Sequence, residues 1–170
     1  KDRAVRLWDP DTGRELAALI DPALPTGREV LTRAVAWSPD GTRLAVAQNP
    51  GGIGVWDVGS GRLAYRVPER IIERLVWSRD GTRLAYPAGD GSIHLLDAAT
   101  GAERAAVRAH GGAAAVATFT PDGVRLATAG EDGAVKLWDG HTLAPVVTLR
   151  GRGSPVGGLA FSPDAGWLAC

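Results

Sequence analysis

The chain has 170 residues, 45% of them hydrophobic and 22% charged, long enough for one ordinary core and too apolar for a disordered segment. Nineteen basic side chains balance nineteen acidic ones, which removes the electrostatic footprint of a nucleic-acid or membrane-surface binder. No apolar run approaches the roughly eighteen residues that span a bilayer, KDRAVRLWDP at the start has no apolar signal core, and Cys170 is the lone cysteine, so neither membrane insertion nor an internal disulfide is expected and a cytoplasmic setting is.

In chain order, residues 1–19 contain two short apolar segments, within RAVRLWD and RELAAL. Residues 20–30, IDPALPTGREV, hold two prolines and a glycine and read as a loop, either a tolerant surface connection or a contact loop. Residues 31–68 carry WSPDGTRLA (Trp37 to Ala45) and then GVWDVGSG, and residues 69–108 carry WSRDGTRLA (Trp77 to Ala85) and then IHLLDAATG. Residues 109–150 carry FTPDGVRLA from Phe119 and then VKLWDGHT, and residues 151–170 close on FSPDAGWLA from Phe161. The spacing from the aromatic to the second landmark is nineteen residues in each of the three complete units: Trp37 to Trp56, Trp77 to Leu96, Phe119 to Trp138. A catalytic site is normally built once per chain, whereas a packing unit that cannot stand alone must be repeated.

Within the third unit the segments Ala114 to Thr120, Arg125 to Ala129, Ala134 to Trp138 and Pro145 to Leu149 are four to seven residues long and separated by Gly, Asp or Pro. These lengths predict strands. Val135 and Leu137 alternate with Lys136 and Trp138, the period of two of a strand. PDG at 121–123 and EDG at 131–133 supply turns, because Asp bonds its local backbone and Gly accepts positive φ.

A four-stranded antiparallel unit of about forty residues, repeated in register, resembles a blade of the WD-repeat (WD40) β-propeller family. The resemblance covers nearly the whole chain, with WD at Trp8-Asp9, Trp56-Asp57 and Trp138-Asp139 and a degenerate copy at Leu96-Asp97. The family's Gly-His landmark is worn to Ala109-His110 in the third unit. The implied fold is all-β: an open arc of three complete blades (31–68, 69–108, 109–150) flanked by two half-blades. Residues 1–19 supply the third and fourth strands of one blade, residues 151–170 the first and second strands of another. With no methionine in the sequence, a piece that lacks its natural start is expected. Two open edges predict head-to-tail self-association of the isolated chain.

The resemblance also implies a structural hydrogen-bond strut in the third blade: Trp138 to Thr128, Thr128 to His110, His110 to Asp132. Val46 and Tyr86 stand where Thr128 does, and Pro50 and Asp90 where Asp132 does, so the other two complete blades lack it. It further implies a partner-binding top face at the start of each first strand and just before each turn Asp. By position these are Leu31 and Arg33, Ile71 and Glu73, Ala113 and Ala115, with Asn49, Gly89 and Glu131.

No catalytic set, metal or cofactor is expected. His94, His110 and His141 are scattered and match no ligand spacing. GSG, GGAAA and GRGSP never open a helix after a strand as a phosphate loop does. The expected function is a non-catalytic scaffold for a protein or peptide partner. The Arg-rich, Lys-poor composition resembles bacterial members of the family, often joined to a kinase, a signalling ATPase or a protease-like domain. The alternative is a propeller of a prolyl-peptidase-like hydrolase or of a Tol-type periplasmic transport protein, whose repeats SPDGTRLA also resembles.

Overall fold

A computed structural model of the chain describes residues 3–25, 27, 29–68, 72, 74–151 and 153–170. Among them are sixteen strands and no helix. A half-blade comprises β1 (Ala4–Trp8) and β2 (Glu15–Ile20). The first complete blade runs β3 (Leu31–Trp37), β4 (Arg43–Asn49), β5 (Gly52–Asp57) and β6 (Arg62–Val67). The second runs β7 (Val76–Trp77), β8 (Arg83–Pro87), β9 (Ser92–Asp97) and β10 (Glu103–Arg108). The third runs β11 (Ala114–Phe119), β12 (Arg125–Gly130), β13 (Ala134–Asp139) and β14 (Pro145–Arg150). The closing half-blade is β15 (Ala160–Phe161) and β16 (Leu168–Ala169). Each sheet is an antiparallel meander in sequence order, and the first strands β3, β7, β11 and β15 neighbour one another along the inner edge of the arc.

The second strand of each complete blade is buried on both faces, and its alternation sends successive side chains into different interfaces. Leu44 and Val46 of β4 pack back against Val5, Leu7 and Leu19 of the half-blade. Ala45 and Ala47, one step along, meet Trp77, Leu84 and Tyr86 of the second blade. Ala85 of β8 then faces Phe119, Leu126 and Trp138 of the third, and Ala129 of β12 faces Val156, Leu159 and Leu168 of the closing half-blade. A bulky residue on one face and alanine on the other lets one blade's leucines seat against its neighbour's flat side.

The nine-residue repeat is a turn with a fixed polar circuit. In its first copy the Ser38 hydroxyl donates to Asp40 Oδ1 (2.6 Å) and accepts from the Arg43 amide (2.9 Å), while the Thr42 amide donates to the same carboxylate oxygen (3.0 Å). Ser78, Asp80 and Arg83 repeat the circuit, as do Thr120, Asp122 and Arg125, and Ser162, Asp164 and Trp167. The turn glycines Gly41, Gly81 and Gly123 have φ of +71°, +69° and +72°, and the fourth copy holds Ala165 at +58° instead, a conformation that costs a residue with a Cβ about 1–2 kcal/mol. The WD aspartates act likewise: Asp139 Oδ1 accepts from the His141 and Thr142 amides, both at 3.0 Å.

The arginine that ends this turn reaches into the next blade. Arg43 donates to the Ala98 carbonyl (2.8 Å), and Arg83, 1% exposed, donates to the Gly123 (3.0 Å) and Gly140 (2.7 Å) carbonyls and to Asp80 (3.0 Å). Ala98 and Gly140 both follow the Asp of the second landmark, so the two arginines clasp equivalent points. Arg125 lies 3.8 Å from Asp139 of its own blade, with its side chain 41% exposed, and Trp167 takes the arginine position in the last copy.

The 20–30 segment is anchored. Asp21 is buried in an ion pair with Arg66 of β6, the Ala23 amide donates to its Oδ1 (2.8 Å), and Leu24 is buried beside them. These contacts tie the connection between the half-blade and the first blade to β6. Thr26 and Arg28 lie outside the described residues.

Arg83→Ala should lower unfolding stability by about 1.5–3 kcal/mol, the cost of removing charged hydrogen bonds from buried carbonyls, and Arg125→Ala by no more than about 0.5 kcal/mol; urea midpoints check both. The turn circuit also sets the acid limit. The Ser38 hydroxyl, with the Thr42 amide and hydroxyl, holds Asp40 at about 2, and the Arg104 guanidinium, with Thr100, holds Asp97 at about 2, against 3.8 for a free aspartate. A depressed folded-state value stabilises the fold fully above the unfolded value and loses that stabilisation as pH falls through the folded one. Melting temperature should therefore hold down to about pH 4 and fall steeply toward about pH 2.

Candidate functional site

The four predicted strut residues meet in the third blade. Trp138 Nε1–H donates to Thr128 Oγ1 (2.9 Å), the Thr128 hydroxyl points at His110 Nε2 (2.9 Å), and His110 Nδ1 lies 2.9 Å from Asp132 Oδ1. The network assigns the ring proton to Nδ1, since Thr128 has one hydrogen to give and Asp132 can only accept. His110 and Thr128 are buried, and Gly130 makes room for the ring: a Cβ there would lie 2.8 Å from His110 Cγ. Asp132 is also bonded by the Gly111 and Ala134 amides, both at 3.1 Å. Burial raises the Asp132 value, but the Gly111 amide, the His110 ring and the Ala134 amide outweigh it and hold the carboxyl at about 2. A ring fixed between an acceptor and a donor, away from any reacting atom, ties the loop before β11 to the β12–β13 hairpin.

The second blade builds a different network at its outer strands. Tyr86 stacks on His94 with ring centroids 4.7 Å apart. His94 Nδ1 lies 2.7 Å from Glu103 Oε2 and Nε2 lies 2.9 Å from Ser92 Oγ, while the Ser92 hydroxyl lies 2.5 Å from Asp90 Oδ1. The Ser, His and Glu spacing imitates a nucleophilic triad, yet the hydroxyl hydrogen is spent on Asp90, leaving both ring nitrogens facing acceptors, the reverse of what an activated serine needs. The sequence reading treated His94 as isolated because the partners come from a hairpin pairing, Tyr86 to His94 and Leu96 to Glu103, that places them side by side.

The top-face residues divide. A cleft of about 770 Å³ gathers Arg33, Gly89, Ala113, Ala115 and Glu131 from three blades and adds Ala34, Val35, Arg74, Leu75, Ala114 and Gly157. Arg33 and Ala115 are each the extra residue of a β-bulge at the start of β3 and β11, and a bulge re-aims a side chain off the sheet face. Leu31 and Asn49 pair with each other at the β3–β4 end and do not line the cleft. Ile71 and Glu73 lie outside the described residues. Arg74 and Leu75 were missed because the positions carried over stop at Arg33 and Glu73; counted from Trp37 and Trp77 they stand where Ala34 and Val35 do, which line the cleft as well. The Glu131 carboxylate accepts from the Ala113 amide (3.2 Å), joining the floor to one wall. Among the described residues no group of three or more His, Cys, Asp or Glu could hold a metal, and no helix is long and apolar enough to cross a membrane.

His110→Ala should destabilise the chain by about 1–3 kcal/mol through the buried Thr128 and Asp132 left without partners. Gly130→Ala should do so through the overlap with the ring; denaturation midpoints read both, and an unchanged midpoint for His110→Ala would remove the strut from the stability account.

With this geometry in view, the family model described as WD domain, G-beta repeat, matches residues 102–139, which span β10 to β13 and contain the whole strut. A chain of the solved structure "Crystal Structure of Mitotic Checkpoint Complex" is similar at a TM-score of 0.81 and 26% identity, over 95% of this chain and 48% of that one. "Crystal structure of RRP9 WD40 repeats" and "Structure of U3-55K" each give a TM-score of 0.70 at 22% identity, over 79% of this chain and 42% of theirs; at that identity the likeness is one of fold. The chain spans about half or less of the length of each of these structures. No curated protein matches it by sequence. The fold is that of a partial WD-repeat propeller.

Proposed function

We propose that this chain is part of a non-catalytic protein-interaction scaffold from a larger bacterial signalling protein, with its partner seated in the cleft formed by Arg33, Arg74, the alanine floor and Glu131. WD40 repeats in general mediate protein–protein contacts, and one similar chain was solved within a complex. The observation that carries the reading is the composition of the cleft: charged side chains from successive blades project over a floor of Gly89, Ala113, Ala114 and Ala115. Small residues let a partner's main chain approach, and charges at the rim set its orientation. The arginine-rich, lysine-poor composition supports the bacterial origin, and attachment to a kinase or ATPase domain would make the blades its docking platform.

Gly157→Trp tests the site. Gly157 lines the cleft, and a Cβ added there meets nothing within 4 Å, so a side chain can start there without a clash and an indole would occupy the cleft; an unchanged urea midpoint checks that the fold is kept. In pull-downs from the source cell with the full-length protein, Gly157→Trp should release the partner. Arg62→Glu, on the outer strand β6, should leave it bound. Release by the second variant and not the first would move the interface to the outer strands.

A further inference from the structure

The cleft has a direction. The blades follow one another along the arc, so the residues they contribute follow in the same order: Arg33 beside β3, Arg74 beside β7, Glu131 on the β12–β13 hairpin and Gly157 before β15. Arg33 and Arg74 are exposed, and among the described residues neither forms a hydrogen bond or an ion pair, in contrast to Arg6, Arg43, Arg66, Arg83 and Arg104, which are held by carboxylates or carbonyls. Glu131, the one acid among the described lining residues, sits on the third blade with its carboxylate on the Ala113 amide. Among the described residues, one end of the cleft is therefore cationic and unsatisfied, and the other is anionic.

Resting on the scaffold reading above, we infer that the cleft takes an extended peptide segment with acidic residues over Arg33 and Arg74 and a basic residue toward Glu131. A guanidinium presents a planar fork of N–H donors that fits a carboxylate two-pronged, and two such forks from adjacent blades match carboxylates spaced along one strand. Gly89 and Ala113 to Ala115 supply a small-residue floor, and Val35 and Leu75 add apolar contact beside the two arginines. An extended segment meets this pattern because alternate side chains face the same way. Nucleic acid fits less well: the chain has no net charge, and a phosphate backbone running the cleft's length would meet Glu131.

The probe is a fluorescein-labelled ten-residue peptide of Gly, Ala and Val with two glutamates in its first half and one lysine near its end, read by fluorescence anisotropy. The comparison ligands are the charge-swapped peptide and a single-stranded oligonucleotide of similar length. The acidic peptide should bind at least about tenfold more tightly than the swapped one, a difference of about 1.4 kcal/mol. The double variant Arg33→Glu with Arg74→Glu should abolish that preference. Both arginines are exposed and unbonded among the described residues, so the urea midpoint of the double variant should match the parent. Equal binding of the two peptides, no binding of the acidic peptide at millimolar concentration, tighter binding of the oligonucleotide, or a preference that survives the double variant would each overturn the inference. If the acidic peptide fails while Gly157→Trp still releases the cellular partner, the chemistry is wrong and the site stands. If Gly157→Trp has no effect on either ligand, the site itself falls.

Discussion

A sheet of four short strands has two apolar faces, and this chain offers no helix among its described residues to cover either of them. Each blade is covered by the next, and that constraint governs the rest. Burial on both sides explains why the second strands read RLAVA, RLAYP and RLATA: the bulky residues at Leu44, Leu84 and Leu126 alternate with Ala45, Ala85 and Ala127, all fully buried. Were both faces bulky, neighbouring blades could not close to packing distance; were both small, the space between them would be left empty.

Apolar burial sets the spacing between blades but has no direction. Direction comes from polar links that span the interface. Arg43 and Arg83 fix the turn between the first and second strands of one blade to the turn after the second landmark in the next, and Trp77 donates its indole N–H back to the Ala36 carbonyl of β3 (3.0 Å). The family-model match, residues 102–139, begins with the outer strand of the second blade and ends in the third. The sequence repeat and the sheet are thus out of phase, and the chain that completes one blade also opens the next.

Rigidity of this kind is what an interaction surface needs. The cleft is assembled from positions that three sheets hold in place, and two of its residues, Arg33 and Ala115, stand on bulges that tilt them out of the ladder. The strut of His110, Thr128, Asp132 and Trp138 supports the same end of the third blade, because the hairpin that carries Asp132 also carries Glu131. The other two complete blades lack it: Val46 and Tyr86 replace the threonine, and Asp90 is occupied by Ser92.

By itself the sequence determined the strand content, the turns and the repeat, because each depends on contacts within a few residues. SPDG closes through Ser38, Asp40 and the Arg43 amide; the nineteen-residue spacing fixes which segments pair; and the alternation in Val135 to Trp138 fixes which side faces which neighbour. The strut was legible too, through the resemblance, since all four residues stand at repeat positions. What faces what across a blade interface was decided by tertiary structure. That Asp21 pairs with Arg66, that Arg83 is buried against the next blade, and that Arg74 joins Arg33 in one cleft while Leu31 stays outside it are consequences of how sheets stack and where strands bulge. Those distances depend on the sum of many packing contacts between blades, and no local run of residues encodes that sum.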